Sequence, residues 1–131
     1  VCRVLHFFDG TTIERGIEKM FNWLAKGGKI FAVGETPYLG NMRGFIPLYE
    51  ERLKDPNCAW PGYFDNVQEI CDPAVRDKLP PMINFFDLKA LTRAFKAAGF
   101  TIENTGTFAR PEYPAWAQYD GRESAGIIAR K

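Results

Sequence analysis

What this chain of 131 residues has little of narrows its chemistry before anything else does. Cysteine occurs at positions 2, 58 and 71 without a Cys-x-x-Cys pair, so neither a disulfide framework nor a zinc knuckle is expected, and a cytoplasmic, reducing compartment fits. No apolar run approaches the roughly 18 to 20 residues of a membrane span, and the opening residues lack the basic-then-apolar pattern of a signal peptide. A membrane is therefore not an expected partner. Seventeen basic residues against sixteen acidic ones leave a net charge of +1, with no Lys/Arg cluster to track a phosphate backbone, so nucleic acid is not expected either. His6 is the only histidine, no metal site is suggested, and no internal repeat or low-complexity tract occurs.

Aromatic residues are what the chain has in excess. They make up 15% of it, with eleven Phe, against ordinary globular fractions of hydrophobic and charged residues. The length suits one domain or part of one.

Thr11 followed by Glu14 forms a capping box, and Ile13, Ile17, Met20, Phe21 and Leu24 recur at helical spacing, which predicts an amphipathic helix over residues 12–26. Gly27 and Gly28 stop it, and Lys29 to Gly34 reads as a buried, parallel-type strand. Asp87 caps a second helix carrying Leu88, Leu91, Phe95 and Ala98, with Phe86 placed to staple onto Leu91. Gly99 ends that helix, Phe100 to Thr105 forms the next strand, and Ser124 to Arg130 a closing one. Such alternation argues an α/β layered domain. Residues 36–86, rich in Pro, Gly and aromatics, are too long for an ordinary connection and read as a helical lid, with helix starts at Pro47 and at Asp72-Pro73. Thr107 to Gly121 repeats that aromatic character. The chain opens on Val1 and runs straight into Val4-Leu5-His6-Phe7-Phe8 without capping or turn chemistry, so we expect it to be the carboxyl-terminal part of a longer domain.

The run Val4-Leu5-His6-Phe7-Phe8-Asp9, a helix, and then Trp23-Leu24-Ala25-Lys26-Gly27-Gly28-Lys29-Ile30-Phe31 resembles the segment that follows the fourth strand of class I S-adenosylmethionine-dependent methyltransferases. That family typically has V-L-H-F, a helix, and L-K-P-G-G-K-L. Here Ala25 and Lys26 stand at its Lys and Pro. The resemblance implies that Val4 to Phe8 is a turn leaving a strand of which Val1 and Cys2 are the remnant. It further implies a partial Rossmann-like three-layer domain whose strands correspond to the family's fifth, seventh and sixth, the seventh antiparallel between the other two. No glycine-rich loop joins a strand to a helix, and no acidic residue follows one by about 20 positions, so most of the family's cofactor site is missing.

The resemblance places Cys2, Arg3 and Val4 beside S-adenosylmethionine and His6 near the transferred methyl, where it could act as a base toward a substrate hydroxyl. Against this, His6 could simply pack among Leu5, Phe7 and Phe8 with its nitrogens on backbone carbonyls. Glu35, Thr36 and Tyr38 follow the first strand at the edge where open α/β sheets place ligands, although Thr36-Pro37 also suits a plain turn. Tyr49, Trp60, Tyr63, Phe64, Tyr113, Trp116 and Tyr119 could wall an apolar substrate pocket or form a satellite core under two long loops.

Two functions of different class follow. One is the substrate-side portion of a methyltransferase acting on a small-molecule nucleophile, inactive when isolated. The other is a binding or dimerisation module, its sheet edge pairing with a second copy. A dehydrogenase remnant is a third, weaker match. A cut domain would also expose its sheet edge and self-associate, forming a homo-oligomer.

Overall fold

The computed structural model describes every residue except Cys71, Asp72, Val75 and Leu79. Residues 1–3 lie parallel to the first strand: Cys2 bridges Val33, the Arg3 N–H donates to the Val33 carbonyl at 2.8 Å, and the Val33 N–H donates to that of Val1 at 2.9 Å. Leu5–Phe7 then form a single 3-10 turn, so Val4 to Phe8 is a turn and not a strand.

Helix α1 (Gly10–Trp23) begins two residues before the expected start. Asp9, not Thr11, is its N-cap: one carboxylate oxygen accepts from the Thr12 N–H and the other from the Thr12 hydroxyl, both at 2.9 Å. With Asp9 already satisfying these donors, Thr11 falls inside the first turn and the Thr11–Glu14 capping box does not form. The helix also stops three residues early. Leu24 turns extended, and the Lys131 ammonium donates to the carbonyls of Phe21 at 2.7 Å and Leu24 at 2.9 Å, satisfying helix-end acceptors from the far end of the chain.

Strands β1 (Lys29–Glu35), β4 (Thr101–Phe108) and β5 (Ser124–Arg130) form one sheet in the order β1-β5-β4, with β5 antiparallel to both neighbours. β1 and β4 therefore run parallel with an inverted strand between them. β4 extends three residues beyond the expected end because Gly106, Thr107 and Phe108 continue to pair with Gly126, Ala125 and Ser124.

Helix α4 (Leu88–Ala97) follows its sequence signals closely. Asp87 accepts from the Ala90 N–H at 2.7 Å, Phe86 and Leu91 are buried in one cluster, and Gly99 ends the helix at φ +101°. Ile13 and Ile17 of α1, Leu91 and Phe95 of α4, and Ile30, Ala32, Ala125 and Ile127 of the sheet make the main core. Each large side chain there contributes about 1.5–3 kcal/mol of burial. Both helices cover one face of the sheet. The opposite face leaves Phe31 57% and Phe108 39% exposed around a cavity of about 360 Å³, so among the described residues the expected three layers are two.

The segment between β1 and α4 is not wholly helical as expected. It carries a 3-10 turn (Gly40–Met42), α2 (Ile46–Arg52, with Pro47 in its first turn), β2 (Tyr63–Phe64), α3 (Val67–Ile70), a 3-10 turn (Arg76–Lys78) and β3 (Ile83–Asn84). β2 and β3 pair antiparallel, Tyr63 with Asn84 and Phe64 with Ile83. The Asp72 cap lies outside the described residues. A second core of Leu39, Met42, Phe45, Tyr49, Val67, Ile83 and Phe85 holds the unit together, with Tyr38, Phe64 and Tyr113 packed on it. Much of the aromatic excess resides there.

Candidate functional site

Glu35, the last residue of β1, lies on the opposite side of the strand from Ile30, Ala32 and Gly34, which face the main core. Its Oε1 accepts from the Tyr113 hydroxyl at 2.8 Å, and the Arg3 Nε stands 4.0 Å from the same oxygen. The Arg3 guanidinium also lies over the Tyr113 ring, 5.2 Å from its centroid, and that of Arg110 lies 4.7 Å from it. One carboxylate, one phenol and two cations thus meet at the carboxyl edge of the sheet. Burial, and then the Glu35 hydrogen bond, push the Tyr113 phenol up to about 12, so it is a donor at neutral pH.

Arg3 is held at φ +52°, a left-handed conformation that is sparsely populated for a residue with a side chain. Strain of this kind costs about 1–3 kcal/mol and persists where the surroundings over-determine it. The Arg3–Val33 backbone bond is one such constraint.

His6 is buried, its ring 4.2 Å from that of Phe7, and its Nδ1 has no hydrogen-bond partner. Burial pulls its pKa below the ordinary 6.5; the nearby Glu35 carboxylate opposes this and the Arg3 charge adds to it. The imidazole is therefore neutral at pH 7, the state a general base requires. The packing expected for a purely structural His6, with its nitrogens on backbone carbonyls, does not hold at Nδ1.

β3 packs against the 3-10 turn that carries His6, and there Asn84 is 1% exposed with both amide atoms unpartnered. Arg3 Nη2 is a further buried atom without a partner. A buried polar atom left unsatisfied costs about 1–3 kcal/mol, so a concentration of them at one edge of the sheet calls for a polar group to complete them. Asn84 had only a faint signal in the sequence, as one amide inside the apolar run Met82-Ile83-Asn84-Phe85-Phe86.

The other sequence-selected residues divide. Thr36 is buried, donates its hydroxyl to the Arg122 carbonyl and accepts from the Tyr38 N–H at 3.1 Å, so it builds the turn around Pro37. Tyr38 lies under the Arg122 guanidinium, 3.5 Å from its ring centroid, and stacks at 6.2 Å with Tyr119. Tyr49 is buried and donates to Asp87 at 2.8 Å. Thr36, Tyr38, Tyr49, Phe86, Asp87 and Arg122 line a cavity of about 240 Å³ beside α4. Trp60 sits on Gly10 and near the Arg93 guanidinium, and Trp116 is 59% exposed. The side chains of Cys2 and Val4 are exposed on the edge segment. Among the described residues no group of three or more His, Cys, Asp or Glu could hold a metal, and no helix is long and apolar enough to cross a membrane.

Solved structures match this arrangement over almost the entire chain. A methyltransferase dependent on S-adenosylmethionine from Methanosarcina mazei superposes with a TM-score of 0.56 at 21% identity, covering 94% of this chain and 52% of its own. The fold is that of the S-adenosylmethionine-dependent methyltransferases. A second such enzyme, from Mesorhizobium loti, superposes with a TM-score of 0.56 at 18% identity over 99% of this chain and 59% of its own. A candidate O-methyltransferase from Nostoc punctiforme gives 0.52 at 18% identity over 100% of this chain and 30% of its own. This chain therefore spans between about a third and three-fifths of the length of the structures it matches. No family model and no curated protein matches the sequence.

Proposed function

We propose that this chain is the substrate-side portion of an S-adenosylmethionine-dependent methyltransferase that transfers a methyl group to a small-molecule nucleophile. The observation that carries the reading is His6, buried, with an unpartnered ring nitrogen and with the Arg3 and Glu35 charges near enough to act on it. In it, the inverted strand β5 and its neighbours β1 and β4 correspond to the family's seventh, fifth and sixth strands, and residues 36–86 close over the acceptor.

S-adenosylmethionine would supply an electrophilic methyl group. Methyl transfer is a direct displacement, so the protein's task is alignment and exclusion of water. Arg3 has a buried guanidinium nitrogen free to meet a carboxylate, which fits one end of the cofactor, and Cys2 and Val4 flank it on the same segment. The chain's own residues hold only that part of the cofactor. His6 accepts the acceptor's proton at a ring nitrogen, and Glu35 stabilises the imidazolium that results. Tyr113 fixes the Glu35 carboxylate. Thr36, Tyr38 and Tyr49 border the acceptor space from the α4 side.

The test is transfer of a labelled methyl group from S-adenosylmethionine to a panel of small phenols and alcohols by the whole polypeptide that contains this chain. His6→Ala should lower kcat by about 10²–10⁴-fold with little change in cofactor binding, and the isolated chain should be inactive. Undiminished turnover in His6→Ala would sink the assignment of the base.

The exposed Phe31 and Phe108 on the uncovered sheet face favour a second reading, a dimerisation module that pairs with another copy. Methyl transfer by the whole polypeptide separates them: a chain that pairs through this face while that polypeptide transfers no methyl group to any acceptor favours the module.

A further inference from the structure

Asn84 is the residue for which the methyl-transfer reading has no use, and it is the most complete orphan among the described residues. Both of its amide atoms are buried and neither has a partner. Ile83 and Phe85 on either side of it point into the second core, while Phe86 points into the main core that contains Leu5. Strand alternation therefore turns the Asn84 amide the other way from Ile83 and Phe85, toward the 3-10 turn of Leu5–Phe7 against which β3 packs. His6 Nδ1, also buried and unpartnered, belongs to that turn.

We propose that Asn84, together with His6, recognises a neutral donor–acceptor edge on the acceptor molecule, an N–H beside a C=O as in a lactam or ring amide; this rests on the methyltransferase reading above. An amide side chain with both atoms free is complementary to such an edge, its oxygen accepting from the ligand N–H and its nitrogen donating to the ligand carbonyl. A lone hydroxyl cannot complete both atoms in that side-by-side manner. Charge also points to a neutral group: Arg3 and Glu35 already oppose each other beside the turn. The Phe7 ring lies 4.2 Å from that of His6 and suits a planar ligand.

The probe is 2-pyridone, compared with N-methyl-2-pyridone, which lacks the donor, and with phenol. The readout is the Asn84 side-chain amide and His6 ring signals of the full chain in heteronuclear NMR. 2-Pyridone should shift both saturably and bind at least about 10-fold more tightly than either comparison compound. Asn84→Asp and Asn84→Leu, checked for folding by spectral dispersion, should lose that preference. Equal binding of N-methyl-2-pyridone, a preference for phenol, or no perturbation at Asn84, which would mark a water site only, each overturns the proposal. Titration with S-adenosylmethionine in parallel keeps the two ideas apart, because lactam preference at Asn84 does not require cofactor binding and cofactor binding does not require lactam preference.

Discussion

The Asp87 carboxylate does two jobs with two oxygens: Oδ1 accepts the Ala90 N–H and caps α4, and Oδ2 accepts the Tyr49 hydroxyl at 2.8 Å, tying the second core to the main one. Tyr49→Phe should cost about 1–3 kcal/mol because a buried charged acceptor loses a donor. Asp87→Ala should cost more, since the cap is lost as well and the Tyr49 hydroxyl is stranded. A double-mutant cycle by urea denaturation should give a coupling of about 0.5–3 kcal/mol; additivity within error would mean that the two residues act independently.

Gly10 opens α1 directly beneath the Trp60 ring, and a Cβ there would collide with the indole. Gly10→Ala should destabilise the fold by roughly 1–3 kcal/mol, the range for overpacking, although alanine favours helix. Trp60 should move, which a Trp23→Phe, Trp116→Phe background would report through its fluorescence. An unchanged emission maximum and melting temperature would contradict this packing.

His6 sets a pH dependence of stability. Its folded pKa is depressed below 6.5 by burial, so below that value the unfolded chain binds a proton that the folded one refuses. Stability should be fully present above pH 6.5 and decline as the pH falls from there to the folded pKa. As the only histidine, it gives a single imidazole titration by NMR, and His6→Gln should remove this part of the slope. A midpoint at or above 6.5 would refute the burial argument.

Tyr113 should titrate near 12 in the wild-type chain. Glu35→Gln removes the charge that opposes the phenolate but leaves the burial, which is the larger cause, so the midpoint should fall part of the way toward 10. Ultraviolet difference titration of Tyr113, with Tyr113→Phe for assignment, measures it. No change on substitution would separate Glu35 from Tyr113.

Much of the scaffold was legible in the chain itself. The amphipathic faces of α1 and α4, the Asp87 cap, the Phe86–Leu91 staple and the apolar strands are local signals, encoded within one or two helical turns or in strand alternation. The inverted order β1-β5-β4 agrees with what the resemblance to methyltransferases implied. His6 was selected through the resemblance, and Glu35 by its place after a readable strand. What only the tertiary structure decided depends on partners far along the chain. Lys131 ends α1 from more than a hundred residues away, Tyr113 reaches Glu35 across 78 positions, and Tyr63 pairs with Asn84 in a two-residue ladder too short to carry a period. Trp60 and Trp116 are chemically alike in sequence, yet one lies on Gly10 and the other faces solvent. Periodicity reports which face of an element is apolar. Which polar atoms remain unpaired once those faces close depends on every neighbour at once, and that is why Asn84 came to light only in the folded chain.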